Sequence, residues 1–185
     1  MRTLIFLMLL ILLVSCGDEV QPKPSGFLSL DYPPAEYTIL DTSCPYSFER
    51  NKITSLKTER GGQDCWINLE YEDLRGTIFI TYQPVKNNLD SLLTDAQKLP
   101  LRHTIKADAI EGSVYTNNYH RTYGMFYQVS GNAASQAQFY LTDSINHFLT
   151  GSVYFDAQPN FDSILPAAAY IKRDMRHLME TLEWQ

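Results

Sequence analysis

The segment with the most reactive side chains brings a carboxylate, a hydroxyl and an imidazole together within five residues. Asp143 and His147 would suit a metal-binding pair, or Ser144 would suit a nucleophile beside a base. A hydrolytic site also needs an acid that orients the base, and the sequence specifies none. Asp, Ser and Asn favour hairpin turns, and this segment separates two predicted strands. We therefore interpret residues 143–147 as a turn.

A second candidate is the run of small residues from Gly131 to Ser135. It lacks the GxSxG nucleophile motif and the GxxxxGK[ST] phosphate loop. Gly131 and Asn132 tolerate positive φ, which predicts a tight connection between strands, and small residues would also let another backbone dock closely. Our candidate interaction loops are therefore Gly131, Asn132, Ser135, Asp143 and His147. The alternative function, an envelope ligand-binding or hydrolytic protein, predicts a pocket where Ser135, Asp143 and His147 converge.

The spacing of the histidines does not favour a metal site. No two lie four residues apart, and neither HExxH nor HxH occurs among His103, His120, His147 and His177. We predict no metal, no cofactor and no enzymatic activity.

The first fifteen residues predict an export signal. An apolar run from Leu4 to Val14 follows one positive charge, Arg2, and is about half the ~20 residues that a membrane-crossing helix needs. The run ends in Leu13-Val14-Ser15-Cys16, which resembles a bacterial lipoprotein signal. The resemblance implies cleavage before Cys16, diacylglycerol on its thiol, and a fatty acid such as palmitate on its amine.

Residues 16–26 predict the lipidated cysteine and a flexible tether. Pro22 and Pro24 favour extended geometry, and at ~3 Å per residue the tether would hold a domain roughly 30 Å from the lipid. Asp18 and Glu19 only thinly match the acidic signals that send some Bacteroidota lipoproteins to the cell surface. We therefore predict an outer-membrane position facing the periplasm.

Cys44 and Cys65 are an even pair in the oxidising compartment that export implies. A bridge between them spans a sequence separation of 21 residues and would stabilise the fold by about 3 kcal/mol. Both precede extended aromatic segments, so the bridge would tie two strand starts together. Two buried free thiols are the alternative, and the lack of a CxxC pair disfavours zinc.

The composition excludes two broad classes. With 15 Lys and Arg against 21 Asp and Glu, the net charge is −6 and no basic stripe occurs, which excludes a nucleic-acid partner. A hydrophobic content of 44% with 19% charged residues predicts a folded chain. The length after the tether fits one domain, which we place at residues 27–185.

Alternation at a period of two predicts an antiparallel sheet. Short turns rich in Gly, Asn, Asp and Ser separate the last three predicted strands, which indicates a meander. Residues 37–40 and 46–49 are weaker strand candidates. The alternating sets are Ile67, Leu69 and Tyr71; Ile78, Ile80 and Tyr82; Tyr123, Met125, Tyr127 and Val129; Phe139 and Leu141; and Leu149, Gly151, Val153 and Phe155.

Helical spacing predicts two helices. The first runs between a cap at Asn88 and a stop at Pro100, with Leu89, Leu92, Leu93, Ala96 and Leu99 on one face. The second would be capped by Asp162 or Ser163, with Pro166 in its first turn. Its apolar stripe is Ala168, Ile171, Met175, Leu178 and Leu182, and its solvated side is Lys172, Arg173, Arg176 and His177. The order of elements predicts an α+β fold, a mainly antiparallel sheet with two packed helices, loosely resembling the PsbP-type sandwich.

Several longer stretches carry a family resemblance. They are CPYSFE at 44–49, CWINLEY at 65–71, ITYQPVKNNL at 80–89, GNAASQAQFYLTDSINHFLTGSVYF at 131–155 and PNFDSILPAAAYIKRDMRHLMETLEW at 159–184. Together with the lipoprotein signal they resemble the gliding-motility lipoprotein GldD family of Bacteroidota. The resemblance implies an outer-membrane-associated lipoprotein needed by the gliding machinery and the type IX secretion system, with no catalytic motif. Expected partners are other lipoproteins and ring or core subunits, contacted in assembly or stabilisation.

Overall fold

Two α-helices divide the strands into a group of six, a group of four and a final short strand within the described residues. The structure is a computed structural model that describes residues 32–40, 42–58, 65–103, 106–156 and 161–185. Within these residues the elements are β1 (Tyr37–Ile39), β2 (Tyr46–Ser47), β3 (Glu49–Asn51), β4 (Ser55–Thr58), β5 (Ile67–Tyr71), β6 (Gly76–Pro84), α1 (Leu89–Lys98), β7 (Ala107–Asn117), β8 (Thr122–Gly131), β9 (Ser135–Thr142), β10 (His147–Phe155), α2 (Phe161–Glu180) and β11 (Glu183–Trp184).

The predicted targeting elements lie outside the described residues. These are the signal at 1–15, the lipid site Cys16 and the tether at 16–26, which stay predictions together with the domain boundary at residue 27. Neither α1 nor α2 combines the length and apolar character of a bilayer-crossing helix in the part of the chain that is described.

Seven strands form one antiparallel sheet in the order β4-β5-β6-β10-β9-β8-β7. The four consecutive strands from β7 to β10 are sheet neighbours, which confirms the predicted meander and adds β7 to it. β10 then returns to pair with β6, so α1 and three strands lie in sequence between these two neighbours. Two small ribbons, β1 with β3 and β2 with β11, complete the described strands. The α+β prediction is confirmed.

Helices cover both faces of the sheet because side chains on a strand alternate between the two faces. The predicted stripe of α2 is buried, and it packs on the face that carries Ile78, Ile80, Leu141 and Leu149. On the opposite face Leu92 of α1 packs with Tyr140 and Phe148. These two residues directly precede Leu141 and Leu149 in the sequence, so their side chains point to the other face. The sheet is therefore the middle layer between two helices.

The helix ends partly differ from prediction. Asn88 occupies the N-cap position of α1, but its side chain accepts a hydrogen bond from the Lys86 N–H at 2.7 Å instead of capping the helix. The cap assigned to Asp162 or Ser163 is wrong, because α2 already begins at Phe161. Pro166 therefore lies beyond the first turn, where the missing N–H removes an intrahelical hydrogen bond.

Cys44 and Cys65 form a disulfide, with 5.4 Å between their Cα atoms. Cys44 lies two residues before the start of β2 and Cys65 two residues before the start of β5, so the bond ties the β2–β11 ribbon to the main sheet. The Tyr46 hydroxyl adds a hydrogen bond to the Cys65 carbonyl at 2.9 Å. The structure thus contains the bridge and not the free-thiol alternative.

Candidate functional site

Asp143 organises the turn between β9 and β10. Its Oδ1 atom accepts hydrogen bonds from the N–H groups of Ile145, Asn146 and His147 at 2.9, 2.8 and 2.8 Å. Burial alone would raise the pKa of Asp143, but the three N–H donors outweigh it, so the pKa lies below its ordinary value. Ser144 supplies the left-handed residue of the turn, with φ of 67°. Residues 143–147 therefore form the predicted turn.

Aromatic side chains hold the His147 ring. Its Nδ1 atom lies 2.9 Å from the Tyr82 hydroxyl, within hydrogen-bond distance. The same ring stacks on the Trp184 ring, with ring centroids 5.2 Å apart and an interplanar angle of 8°. His147 therefore positions β11 against the end of β10.

Ser135 begins β9 and Asp143 directly follows its last residue, which places them roughly 26 Å apart at ~3.3 Å per residue. Its side chain is buried, and its hydroxyl donates to the Ala137 carbonyl at 3.1 Å. The pocket of converging Ser135, Asp143 and His147 that the hydrolytic alternative needs is therefore not found. The prediction erred because a strand of buried residues separates the two loops.

Gly131 has a positive φ of 92°, as its predicted tight connection requires. A Cβ atom on this residue would lie 2.6 Å from the backbone N of Asp108. The backbone that approaches this small-residue loop is therefore the start of β7 in the same chain. Gln136 closes the loop by donating to the carbonyls of Gly131 and Ala133 at 3.2 and 2.9 Å, while Asn132 is exposed.

A cleft of about 540 Å³ lies where the β7–β8 turn, the β9–β10 turn and β11 meet. The β7–β8 turn contributes Tyr119 and Arg121, and β11 contributes Trp184. Asn117 orders that turn because its Oδ1 atom accepts the N–H of Tyr119 at 3.1 Å and of His120 at 3.2 Å. β11 is fixed by pairing with β2, so rigid elements support all three walls.

The side chains of the cleft suit binding. Tyr119 is 90% exposed and meets the His120 ring edge-on at 4.7 Å. His120 Nδ1 lies 3.5 Å from Glu183 Oε1, whereas Arg121 forms no ion pair with any described residue. Tyr, Trp and Arg are the residue types that most often dominate the binding energy of protein interfaces. In the described ranges no three His, Cys, Asp or Glu side chains are grouped as a metal site.

Asp174 is a buried carboxylate that the sequence analysis did not identify. It is 4% exposed and accepts hydrogen bonds from the hydroxyls of Tyr37 and Tyr71 and from the Asn51 amide, at 2.8 to 2.9 Å. Burial, followed by the charge of Asp174, raises the pKa of Tyr71 far above its ordinary value, so this hydroxyl stays protonated. A signal existed, because Asp174 falls between Ile171 and Leu178 on the apolar stripe of α2.

The solvated side assigned to α2 needs two corrections. Lys172 is half-buried, and burial lowers the pKa of its ammonium group. Arg173 and Arg176 are exposed as predicted. His177 instead lies 2.6 Å from Glu49 Oε2 through its Nε2 atom, and its ring stacks on Tyr37 with centroids 3.6 Å apart. His177 therefore packs α2 against β1 and β3.

Comparison with known proteins assigns this chain to a family. The sequence profile described as gliding motility lipoprotein GldD matches residues 17–184, which is nearly the whole chain after the predicted signal. A search of curated proteins finds no match. Because the profile covers the sheet, both helices and all the walls of the cleft, the chain belongs to the gliding motility lipoprotein GldD family.

Proposed function

We propose that the chain is a lipid-anchored, non-catalytic subunit that helps to assemble or stabilise the gliding and type IX secretion machinery through protein–protein contacts. The observation that carries this proposal is the cleft at the end of the sheet. It presents Tyr119, Arg121 and Trp184 together in a member of the gliding motility lipoprotein family. We assign the contact with a protein subunit of that machinery to this cleft.

The cleft combines an ordered backbone turn with exposed side chains that are available to a partner. Hydrogen bonds to Asn117 order its β7–β8 turn, so binding costs little conformational entropy there. Tyr119 offers a large exposed ring, and Ile145, 56% exposed, adds apolar surface on the neighbouring turn. The guanidinium of Arg121 has no ion-pair partner among the described residues and is available to an acidic or carbonyl-bearing partner.

Lipidation of Cys16 is the second part of the proposal. The apolar run that ends in Leu13-Val14-Ser15-Cys16 supports it, and we place the anchor in the outer membrane with the domain facing the periplasm. Acyl chains on Cys16 would confine the domain to the surface that its partners occupy. Docking then becomes effectively intramolecular, so a small interface suffices.

Affinity purification from envelopes of a gliding strain tests the cleft. Native chain should recover gliding or type IX secretion components, identified by mass spectrometry. Tyr119→Ala combined with Arg121→Ala should lower that recovery at least about tenfold, since hot-spot side chains contribute about 2 kcal/mol or more each. Lys98→Ala, which removes an exposed charge at the far end of α1, is the matched control and should keep recovery unchanged.

The anchor is tested separately with Cys16→Ala. This variant should lose membrane association while the purified domain keeps its unfolding midpoint. Equal recovery of the same components by native chain and by the Tyr119/Arg121 double variant would contradict the docking role of the cleft. An unmodified Cys16 in native protein would contradict the anchor alone.

A further inference from the structure

The two edges of the seven-stranded sheet differ sharply. At one edge β4 is only four residues long and carries Lys57, which forms an ion pair with Glu70. At the other edge β7 is 11 residues long and contains no Pro, Lys or Arg. Short length and Lys residues are the usual means by which proteins prevent pairing at an edge. β4 has both and β7 has neither. The charged residues of β7 are Asp108 and Glu111, and its irregularity lies at the start of the strand, between Ala107 and Ala109.

The outer edge of β7 is open in the described part of the chain. β8 is the only described strand that pairs with it, so alternate backbone N–H and C=O groups point away from the sheet. Most of its side chains are exposed. α2 lies near one face of β7, since the charge of Glu111 acts on Lys172 and that of Glu180 on Tyr115. Val114 is a large apolar residue that is 78% exposed here. Among the described residues, no strand occupies the position beside β7 that a second strand would take.

We propose that β7 pairs antiparallel with β7 of a second copy of this chain, around a two-fold axis at Gly112. The two sheets then join edge to edge into one continuous sheet. The inference stands on the strand alone and holds whether or not Cys16 carries lipid.

The sequence of β7 is self-complementary in this register. Ile110 lies opposite Val114 of the second copy, on the same face, and such β-branched pairs stabilise antiparallel strands. Glu111 lies opposite Ser113, so the acid meets a hydroxyl. A shift of the axis to Glu111 would instead oppose two carboxylates, which disfavours that register in a chain of net charge −6.

Gly112 fits the position on the axis. A Cβ atom there would lie 3.0 Å from Met125 Cε and 3.1 Å from Tyr127 Cε1, so the side chains of β8 already lean over this residue. Two glycines facing each other leave the backbones free to approach, while Met125 and Tyr127 supply apolar cover from each copy. The occupant with this symmetry is the chain itself.

Disulfide trapping in intact cells tests the register. One full-length chain carries Ile110→Cys and a second carries Val114→Cys, each with its own tag. The two chains are produced together in the same cells and oxidised mildly. We expect a mixed dimer carrying both tags, formed at least tenfold more than the dimer of either variant alone, because position 110 faces position 114 of the other copy. Chain without an added cysteine and Lys98→Cys chain give the background.

A second pair of variants removes dependence on the introduced thiols. With differently tagged chains produced together, Val114→Lys in both copies should lower their co-purification at least tenfold, as Lys57 protects the other edge. Val114→Thr, also β-branched, should retain it. Because position 114 is exposed, neither the Lys nor the Thr substitution should disturb the fold. An unchanged unfolding midpoint of each variant verifies this. Mixed-tag dimers at background level, or co-purification unaffected by Val114→Lys, would overturn the proposal.

Discussion

Replacing Asp174 with alanine is expected to lower the free energy of unfolding by about 3–6 kcal/mol. Three donors point at this carboxylate: the hydroxyls of Tyr37 and Tyr71 and the amide of Asn51. A buried donor that loses its acceptor costs about 1–3 kcal/mol. Tyr37 is half-buried and the Asn51 amide also donates to the Tyr170 hydroxyl, so these two donors should lie at the low end of that range. Urea unfolding of the purified chain measures the loss directly.

Graded variants keep this prediction testable if Asp174→Ala does not fold, since typical domains are stable by only about 5–15 kcal/mol. Tyr71→Phe removes a single donor and should cost about 1–2 kcal/mol. Arg173→Ala, at the residue before Asp174, removes an exposed cation lying 5.4 Å from the Tyr170 ring centroid and should cost less than about 1 kcal/mol. An Asp174→Ala chain as stable as the Arg173→Ala chain would show that the carboxylate does not hold these elements together.

Removing the disulfide with Cys44→Ser and Cys65→Ser together is expected to cost about 3 kcal/mol of unfolding free energy. The bond restricts the unfolded chain across a separation of 21 residues, and in the native state it ties β2 to the start of β5. β2 pairs with β11, which carries Trp184 into the cleft. The variant should therefore also loosen one wall of the cleft.

Denaturant unfolding with and without a thiol reductant measures the disulfide contribution. Reduction should bring the native chain to the stability of the double serine variant, and should leave that variant unchanged. A double variant with the unfolding midpoint of the oxidised native chain would contradict the predicted contribution.

The strands with one buried face were predictable from the sequence. β5 alternates buried Ile67, Leu69 and Tyr71 with half-buried Asn68 and Glu70, and β6 continues the pattern with Ile78 and Ile80. When one face of a strand is buried and the other is partly exposed to solvent, apolar and polar residues alternate in the sequence, and this alternation predicts the strand. The apolar stripe of α2 was predictable for the same reason.

β7 was not predicted because its environment imposes no alternation. As an edge strand it exposes side chains such as Glu111 and Val114 on both faces, so no face selects apolar residues. β9 shows the opposite difficulty. All eight of its residues are buried, including the polar Gln136 and Gln138, so burial does not alternate along the strand.

The cleft was only partly predictable. Asp143 and His147 were identified as a turn, and they lie in its wall. Tyr119, Arg121 and Trp184 join them only through the return of the meander and the pairing of β11 with β2, which are contacts between residues distant in sequence. Local patterns carry no information about such contacts. The separation of Ser135 from Asp143 follows from the length of β9, which the sequence indicated only for Phe139 and Leu141.

Photo-crosslinking from position 119 in intact cells is the most direct test of the docking cleft. A photoreactive phenylalanine analogue in place of Tyr119 should form a covalent adduct with a protein of the gliding or type IX secretion machinery, identified by mass spectrometry. The same analogue at Lys98, on the far end of α1, should not form it. Irradiated cells in which position 119 forms no adduct above the level at position 98 would contradict a docking role for this cleft.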